Sequence, residues 1–428
     1  MITLTSDQES SLQTVEDRLA NHERLTVLAG PAGTGKTTLI REILRRLDRR
    51  YAFSFLAPTG KAAQRLHEVT GRPASTLHSV IYGRVSGHRK DGSPIFEKIP
   101  EGSASVGQVA VLDESSMIST RLAEDALEAI PPHVRVLAVG DPFQLRPVGK
   151  NSDGGFEEQC GFDLGKPDAS LTQVHRQALE SPVLALATQI RERRERPYPP
   201  DFTDATLQCL SASLDQVAQL LAKLEALRED WVCLVHSHAA RRAISAATRS
   251  ALGFGPVSSG PAPGEKLWVR RNCPELGLYN GNIVRAVRAF RLTDGEDLGA
   301  MQHRPVGAYQ RSARKFSAHD LSLFTMSLDG VEPAALLPSA AWEQDRRLNK
   351  EENSHYFRAM KATFGAQAFR RLLEASPGYA ITTHAAQGSQ WKRVIVIDTG
   401  TRDPRWWYTA VTRATERVVV VQLRDWKK

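Results

Sequence analysis

GPAGTGKT, Gly30 to Thr37, is the stretch that decides how this chain is read. It satisfies G-x-x-x-x-G-K-[ST] at every fixed position. It follows an apolar run, LTVLA (Leu25–Ala29), and precedes a helical pattern over Leu39–Leu47. A buried strand, a glycine-rich loop and a helix start, in that order, make a phosphate cradle. The glycines let backbone N–H groups turn inward around phosphate oxygens, and the helix start adds partial positive charge. The expected nucleotide-binding residues are Gly30, Ala32, Gly33, Thr34, Gly35, Lys36, Thr37 and Thr38. Lys36 is placed to reach the β and γ phosphates, and the Thr37 hydroxyl to ligate Mg2+. A bare glycine-rich turn is the alternative, and it would not require the flanking strand and helix.

The rest of the composition narrows the partners. Of 428 residues, 56 are Lys or Arg and 48 are Asp or Glu, so the formal net charge is +8. That balance favours a polyanionic partner. Four cysteines (Cys160, Cys209, Cys233, Cys273) lie far apart, with no metal-type spacing, so reduced thiols and a cytoplasmic setting are expected. The start, MITLTSDQ, lacks a basic-then-apolar signal segment. No stretch of about 18 apolar residues predicts a membrane span.

Along the chain, apolar runs at Leu25–Ala29, Phe53–Ala57, Val109–Leu112 and Val134–Val139 alternate with helical patterns. This predicts a parallel α/β domain with ligands at the strand C-terminal ends. From Tyr82 to Gly107 the pattern breaks, and an Asp91-Gly92 turn predicts a hairpin carrying Arg84, His88, Arg89, Lys90 and Phe96. A second α/β block begins near Pro182 with the strand Trp231–His236. After the Gly/Pro/Ser-rich Gly255–Lys266, short segments and the Asn280-Gly281 turn predict a small barrel, followed by a polar helical stretch over Ala340–Leu373. The α/β pattern resumes at Tyr379–Thr383, Val394–Asp398 and Val418–Leu423.

Two further motifs follow strands of the first block. VLDESS (Val111–Ser116) ends in Asp113, suited to the Mg2+ shell, and Glu114, suited to orient or deprotonate a water. VGDPFQLRPVG (Val139–Gly149) offers Gln144 as a γ-phosphate contact, with Asp141 and Pro142 setting the turn.

Together these motifs resemble a superfamily-1 helicase of the RecD/Dda-like branch, most of all the Dda type. Other stretches support the resemblance. LTSDQ resembles the adenine-reading element, with Gln8 as reader. LAPTGKAA (Leu56–Ala63) and STLHS (Ser75–Ser79) resemble DNA-contacting motifs. LTQVHR supplies Arg176 as an ATP-sensing arginine. TTHAAQGSQW (Thr382–Trp391) resembles the motif linking DNA and ATP sites, and YTAVTRA carries Arg413 as the arginine finger. One departure is Ala385-Ala386, where the family commonly has Lys-Ser or Lys-Ala; a cationic contact is then absent or comes from Lys392.

The resemblance implies two RecA-like parallel-sheet motor domains with ATP and Mg2+ in the cleft between them. The first would span 1–181, with a pin hairpin at about 84–106. The second would span 182–264 and 377–428, interrupted at 265–376 by an SH3-like and helical insertion. It implies catalytic roles for Lys36, Asp113, Glu114, Gln144, Arg176 and Arg413. It implies DNA contacts by Pro58, Thr59, Lys61, His78, Phe96, Thr383, His384 and Gln387. The implied activity is 5′ to 3′ translocation on single-stranded DNA with unwinding at duplex junctions, by a monomer with replication or repair partners. The alternatives are a translocase that strips bound proteins and an ATP-gated nucleic-acid clamp.

Overall fold

A computed structural model describes residues 4–82, 85–88, 94–147, 159–173, 181–197, 206–291, 323–345, 348, 351, 352, 354, 356, 370–424 and 426. Contacts divide the chain into two compact units. One comprises Met1–Arg84, Phe96–Leu210 and Ala386–Gln422; the other comprises Val85–Ile95, Ser211–Ala385 and Leu423–Lys428.

The first unit begins with helix α1 (Ser6–Ala20), fixed by a capping box. Thr5 accepts from the Gln8 N–H, and the Gln8 side chain accepts from the Thr5 N–H. Its buried residues Gln8, Ser11, Leu12, Val15 and Leu19 recur at helical spacing and form one face. Strand β1 (Leu25–Ala29), helix α2 (Lys36–Leu47), β2 (Phe53–Ala57), α3 (Gly60–Thr70), β3 (Ala74–Thr76) and α4 (Leu77–Ile81) follow. Strands β4 (Val85–His88) and β5 (Pro94–Phe96), which belong to the other unit except for Phe96, pair as a two-stranded sheet. Then come β6 (Val109–Leu112), α5 (Thr120–Ala129), β7 (Arg135–Gly140) and β8 (Ala169–Ser170). The six-stranded order is β3-β2-β6-β7-β1-β8, and neighbouring strands run parallel. Its central strands β6 and β7 are buried along their whole length because both faces are covered. Leu12, Leu39, Ile43 and Val139 fill one face; Leu77, Ile118, Ala126 and Leu112 fill the other. Arg24, just before β1, donates to the carbonyls of Leu127, Ile130, Pro131 and Val134, which caps the end of α5.

A second sheet has the order β16-β10-β17-β18-β9, from β9 (Leu207–Ala212), β10 (Trp231–Val235), β16 (Ile381–Thr382), β17 (Trp391–Asp398) and β18 (Ala414–Leu423). Parallel registers join β17 to β18 and β10 to β16. Helices α6 (Pro182–Arg193), α7 (Leu214–Ala226) and α8 (His238–Ala251) accompany it.

The insertion is an antiparallel sheet ordered β14-β13-β12-β11-β15. Its strands are β11 (Lys266–Val269), β12 (Ile283–Arg291), β13 (Leu323–Leu328), β14 (Val331–Pro338) and β15 (Ala375–Pro377), with helix α9 (Ser339–Glu343) after β14. The Asn280-Gly281 turn falls where its sequence places it, with Gly281 at φ 96°. The sheet is consistent with the SH3-like insertion expected. Its core gathers Leu267, Phe324, Met326, Leu337 and Trp342. Beside it, Arg249 and Glu265 form a fully buried ion pair at 2.7 Å, and Arg249 also donates to the carbonyls of Gly255 and Gly260. Most of the expected polar helical stretch between 346 and 369 lies outside the described residues. All four cysteines are free thiols. Among the described residues no helix is long and apolar enough to cross a membrane.

The expected architecture is therefore present: two parallel sheets of the RecA-like kind and a smaller antiparallel sheet.

Candidate nucleotide site

The phosphate loop joins β1 to α2. Gly33 and Gly35 sit at φ 81° and 82°, left-handed conformations that glycine adopts without steric cost. Lys36 is the first residue of α2, and Nζ donates to the Gly30 and Pro31 carbonyls at 2.5 and 2.9 Å. Thr37 and Thr38 follow in the first turn, half-buried. Gln8 is fully buried, and its Nε2 donates to the Thr34 carbonyl at 3.0 Å. With its other end accepting from Thr5, the Gln8 amide braces the loop against α1.

Asp113 and Glu114 end β6. Burial, and next the neighbouring Glu114, push the Asp113 carboxyl up to about 6; the Glu114 N–H at 2.9 Å, Lys36 and Arg65 oppose the shift. Glu114 sits at φ 52°, an uncommon left-handed position for a residue with a side chain. Behind it, Gly140 leaves the space this packing uses: a Cβ there would lie 2.5 Å from Ser115 Oγ and 2.8 Å from Leu164 Cδ1, so a side chain would displace both. The acid pair is thus held against the turn that follows β7.

That turn carries Gln144 and is tied down by the chain's last segments within the same unit. Arg405 donates to the carbonyls of Pro142 and Gln144 at 2.5 and 3.3 Å. The Leu145 N–H donates to Thr409 Oγ1 at 2.9 Å, and Gln387 Nε2 donates to the Leu145 carbonyl at 3.0 Å. Gln144 is 5% exposed, and among the described residues its Oε1 has no hydrogen-bond partner. Helix α10 (Pro404–Val411) leads to Arg413, which is 3% exposed. Its guanidinium donates to Thr409 O, Ser389 O and Thr412 Oγ1. Burial lowers its pKa, and Glu114 pulls in the opposite direction.

Mg2+ fits the donor set. Among the described residues no three His, Cys, Asp or Glu side chains gather as a metal cage. Mg2+ is commonly held by one or two protein oxygens plus phosphates and water. Thr37 and Asp113 supply hard oxygen donors, and the strained charge of Asp113 would be relieved by a cation.

The residues expected to contact DNA fall into separate settings. Pro58 and Thr59 lie between β2 and α3, and Thr59 caps α3 by accepting from the Ala62 N–H at 3.2 Å. Lys61 Nζ stands 4.7 Å over the Trp391 ring, and Arg65 donates to Gln390 at 2.7 Å. His78 is exposed on α4, its ring 5.5 Å from that of Tyr82. In the other unit, the Thr383 N–H donates to Val235 O and its buried Oγ1 has no partner among the described residues; His384, half-buried, opens a short 3-10 turn. Lys392 lies 3.5 Å from Glu416. Phe96 closes β5, but its side chain lies outside the described residues, as do Arg176, Arg84, Arg89 and Lys90.

Sequence reasoning missed Tyr408, Thr409 and Arg405. Tyr408 Oη accepts from the Ala32 N–H and donates to Asp141 Oδ2, both at 2.7 Å. Their partners lie far off in sequence, so local spacing could not expose them.

Fold and site define a phosphate-loop ATPase of the kind typical of ATP-hydrolysing helicases. Residues 3–202 match the family model described as an AAA domain, and residues 377–421 match the UvrD-like helicase C-terminal domain. The chain is 29% identical to the ATP-dependent RecD2 DNA helicase of Deinococcus radiodurans, over 97% of this chain and 48% of that protein. It is 28% identical to the ATP-dependent DNA helicase dda of Enterobacteria phage T4, over 44% of this chain and 42% of that protein. It is also 28% identical to the RecBCD enzyme subunit RecD of Mycolicibacterium smegmatis, over 94% of this chain and 69% of that protein. The chain thus spans about half the length of the first two relatives. In fold it is similar to a Pif1 helicase from Bacteroides solved with ADP-AlF3 and ssDNA. The TM-score is 0.52 at 17% identity, over 98% of this chain and 92% of that one. In sequence the chain is thus similar to helicases named RecD2, dda and RecD, and it is similar to Pif1 helicases in fold.

Proposed function

We propose that this protein is an ATP-dependent DNA helicase that moves 5′ to 3′ along single-stranded DNA and unwinds duplexes at junctions. The observation that carries the reading is the convergence of four elements in one compact unit: the Lys36 loop, the Asp113-Glu114 turn, the Gln144 turn and the helix leading to Arg413. The names of the RecD2 and dda relatives support the DNA helicase assignment.

Each side chain has a task. Loop N–H groups and Lys36 bind the phosphates. Glu114 orients the attacking water and takes its proton, and Gln144 Oε1 is the free acceptor for a group at the γ position. Arg413 supplies positive charge as the phosphoryl oxygens gain negative charge. Mg2+, held through Thr37 and Asp113, would neutralise phosphate charge. Gln8 would read the adenine, and Arg176 would act as a second ATP-sensing arginine.

The motor domains would span 1–181 and 182–264 with 377–428, and 265–376 would be the insertion. Thr59, Lys61 and His78 would hold the strand on the first domain, and Thr383, His384 and Gln387 on the second. ATP binding and hydrolysis would change the relative grip of the two, because a ligand shifts a conformational equilibrium by its differential affinity for the two states. Contacts to backbone and stacked bases make such a grip largely sequence-independent and salt-sensitive.

The test is ATP hydrolysis with and without single-stranded DNA. Stimulation by DNA, with hydrolysis lost and strand binding kept in Lys36→Ala, is expected. Hydrolysis at the normal rate in Lys36→Ala would overturn the site, and absence of DNA stimulation would overturn the motor.

A further inference from the structure

Tyr408 touches two parts of the nucleotide site at once and belongs to neither. Its hydroxyl accepts the N–H of Ala32, in the middle of the phosphate loop, and donates to Asp141 Oδ2. The other carboxylate oxygen, Asp141 Oδ1, accepts the Phe143 N–H at 2.9 Å, one residue before Gln144. Thr409, the next residue on α10, accepts the Leu145 N–H, one residue after Gln144. Gln144 is therefore gripped on both sides by groups that answer to Tyr408 and its neighbour. The Phe143 ring lies 6.0 Å from the Tyr408 ring, centroid to centroid, which fixes the phenol from the side.

The chemistry of the position is selective. Ala32 offers a donor and Asp141 an acceptor, so the bridging atom has to accept one bond and donate the other. A hydroxyl does both; phenylalanine does neither. Tyr408 and Asp141 are 2% and 0% exposed, so water is not at hand to replace a lost bond. Burial, with Asp141 nearby, holds the phenol far above its ordinary pKa, and it keeps its proton.

We propose that Tyr408 is a positioning residue for ATP hydrolysis, whose hydroxyl locks the phosphate loop at Ala32 to the Gln144 turn at Asp141. A shift in either element is then passed to the other, and through α10 to Arg413. Tyr408 needs no contact with the nucleotide. The inference rests on the ATPase reading above.

Tyr408→Phe, Asp141→Asn and the double variant test it by steady-state ATP hydrolysis on saturating single-stranded DNA. Each single variant is expected to lose at least about tenfold in kcat while KM for ATP stays within about threefold, the pattern of an interaction that matters after binding. The double variant is expected to be no slower than the slower single variant, because one bond can be broken only once. Unchanged kcat, a rise in KM alone, or losses that multiply in the double variant would overturn the lock. Should Tyr408→Phe fail to fold, Asp141→Asn gives the same reading from the other end of the bond. A wild-type protein that lacks DNA-stimulated hydrolysis overturns the parent reading and this one with it. Wild-type stimulation with unaffected variants overturns this one alone.

Discussion

Tyr408 and Asp141 share a 2.7 Å hydrogen bond across 267 positions of sequence. The same hydroxyl reaches back 376 positions to the Ala32 N–H. The last part of the chain thus completes a nucleotide site that the first part begins. The helix leading to Arg413 is held against the phosphate loop by these two bonds.

Glu114 combines a left-handed backbone with a place beside the buried Asp113. Strain of this kind costs about 1–3 kcal/mol and persists where function requires it. Glu114→Gln is expected to slow hydrolysis by about 10²–10⁴-fold, the usual contribution of a positioned base. Titration with a fluorescent nucleotide should show ATP affinity nearly unchanged. Full hydrolysis in the variant would remove Glu114 from the mechanism.

Strand β5, paired with β4, ends at Phe96, in the segment expected to form a pin hairpin. A ring at a strand junction contributes about 1–3 kcal/mol by stacking on a base. Phe96→Ala is expected to reduce strand displacement more than DNA-stimulated ATP hydrolysis. Equal loss of both activities would end the assignment of this hairpin as the separating pin.

Lys266 is buried among Glu225 at 3.9 Å, the Trp231 ring at 3.8 Å and the Trp231 carbonyl, with Arg285, Asp230 and Cys233 also acting on it. Burial lowers its pKa to about 8, and Glu225 only partly offsets this. Between that value and the unfolded value near 10.4, the unfolded chain holds more protons, so stability rises with pH across this window. The full effect is at most about 3 kcal/mol. Wild type should therefore gain stability relative to Lys266→Met between pH 7.5 and 9.5, read as a change in the difference of their melting temperatures. A difference that does not move with pH would show that Lys266 is not depressed.

The phosphate loop, the acid pair and the Gln144 turn were legible because each is local: an apolar strand, then a short polar motif. The insertion was legible from short β segments and the Asn280-Gly281 turn. What stayed hidden was long-range. Arg241, a cation whose partners lie far along the chain, is fully buried against Asp345 and the Trp268 ring. Gln387, expected to contact DNA, also has a partner 242 positions away, the Leu145 carbonyl, to which its Nε2 donates. Gln8 shows a different case. Its capping box with Thr5 was written in the sequence as T-x-x-Q, yet its bond to Thr34 needs the loop folded over α1. Period and spacing report the partners a residue has nearby; they carry no sign of partners hundreds of positions away.

The most direct test is strand displacement with ATP on two duplexes that differ only in the polarity of a single-stranded tail. The account predicts unwinding of the 5′-tailed duplex, none of the 3′-tailed one, and none of either by Lys36→Ala. Unwinding of the 3′-tailed duplex alone, or of neither by the wild-type protein, would contradict it.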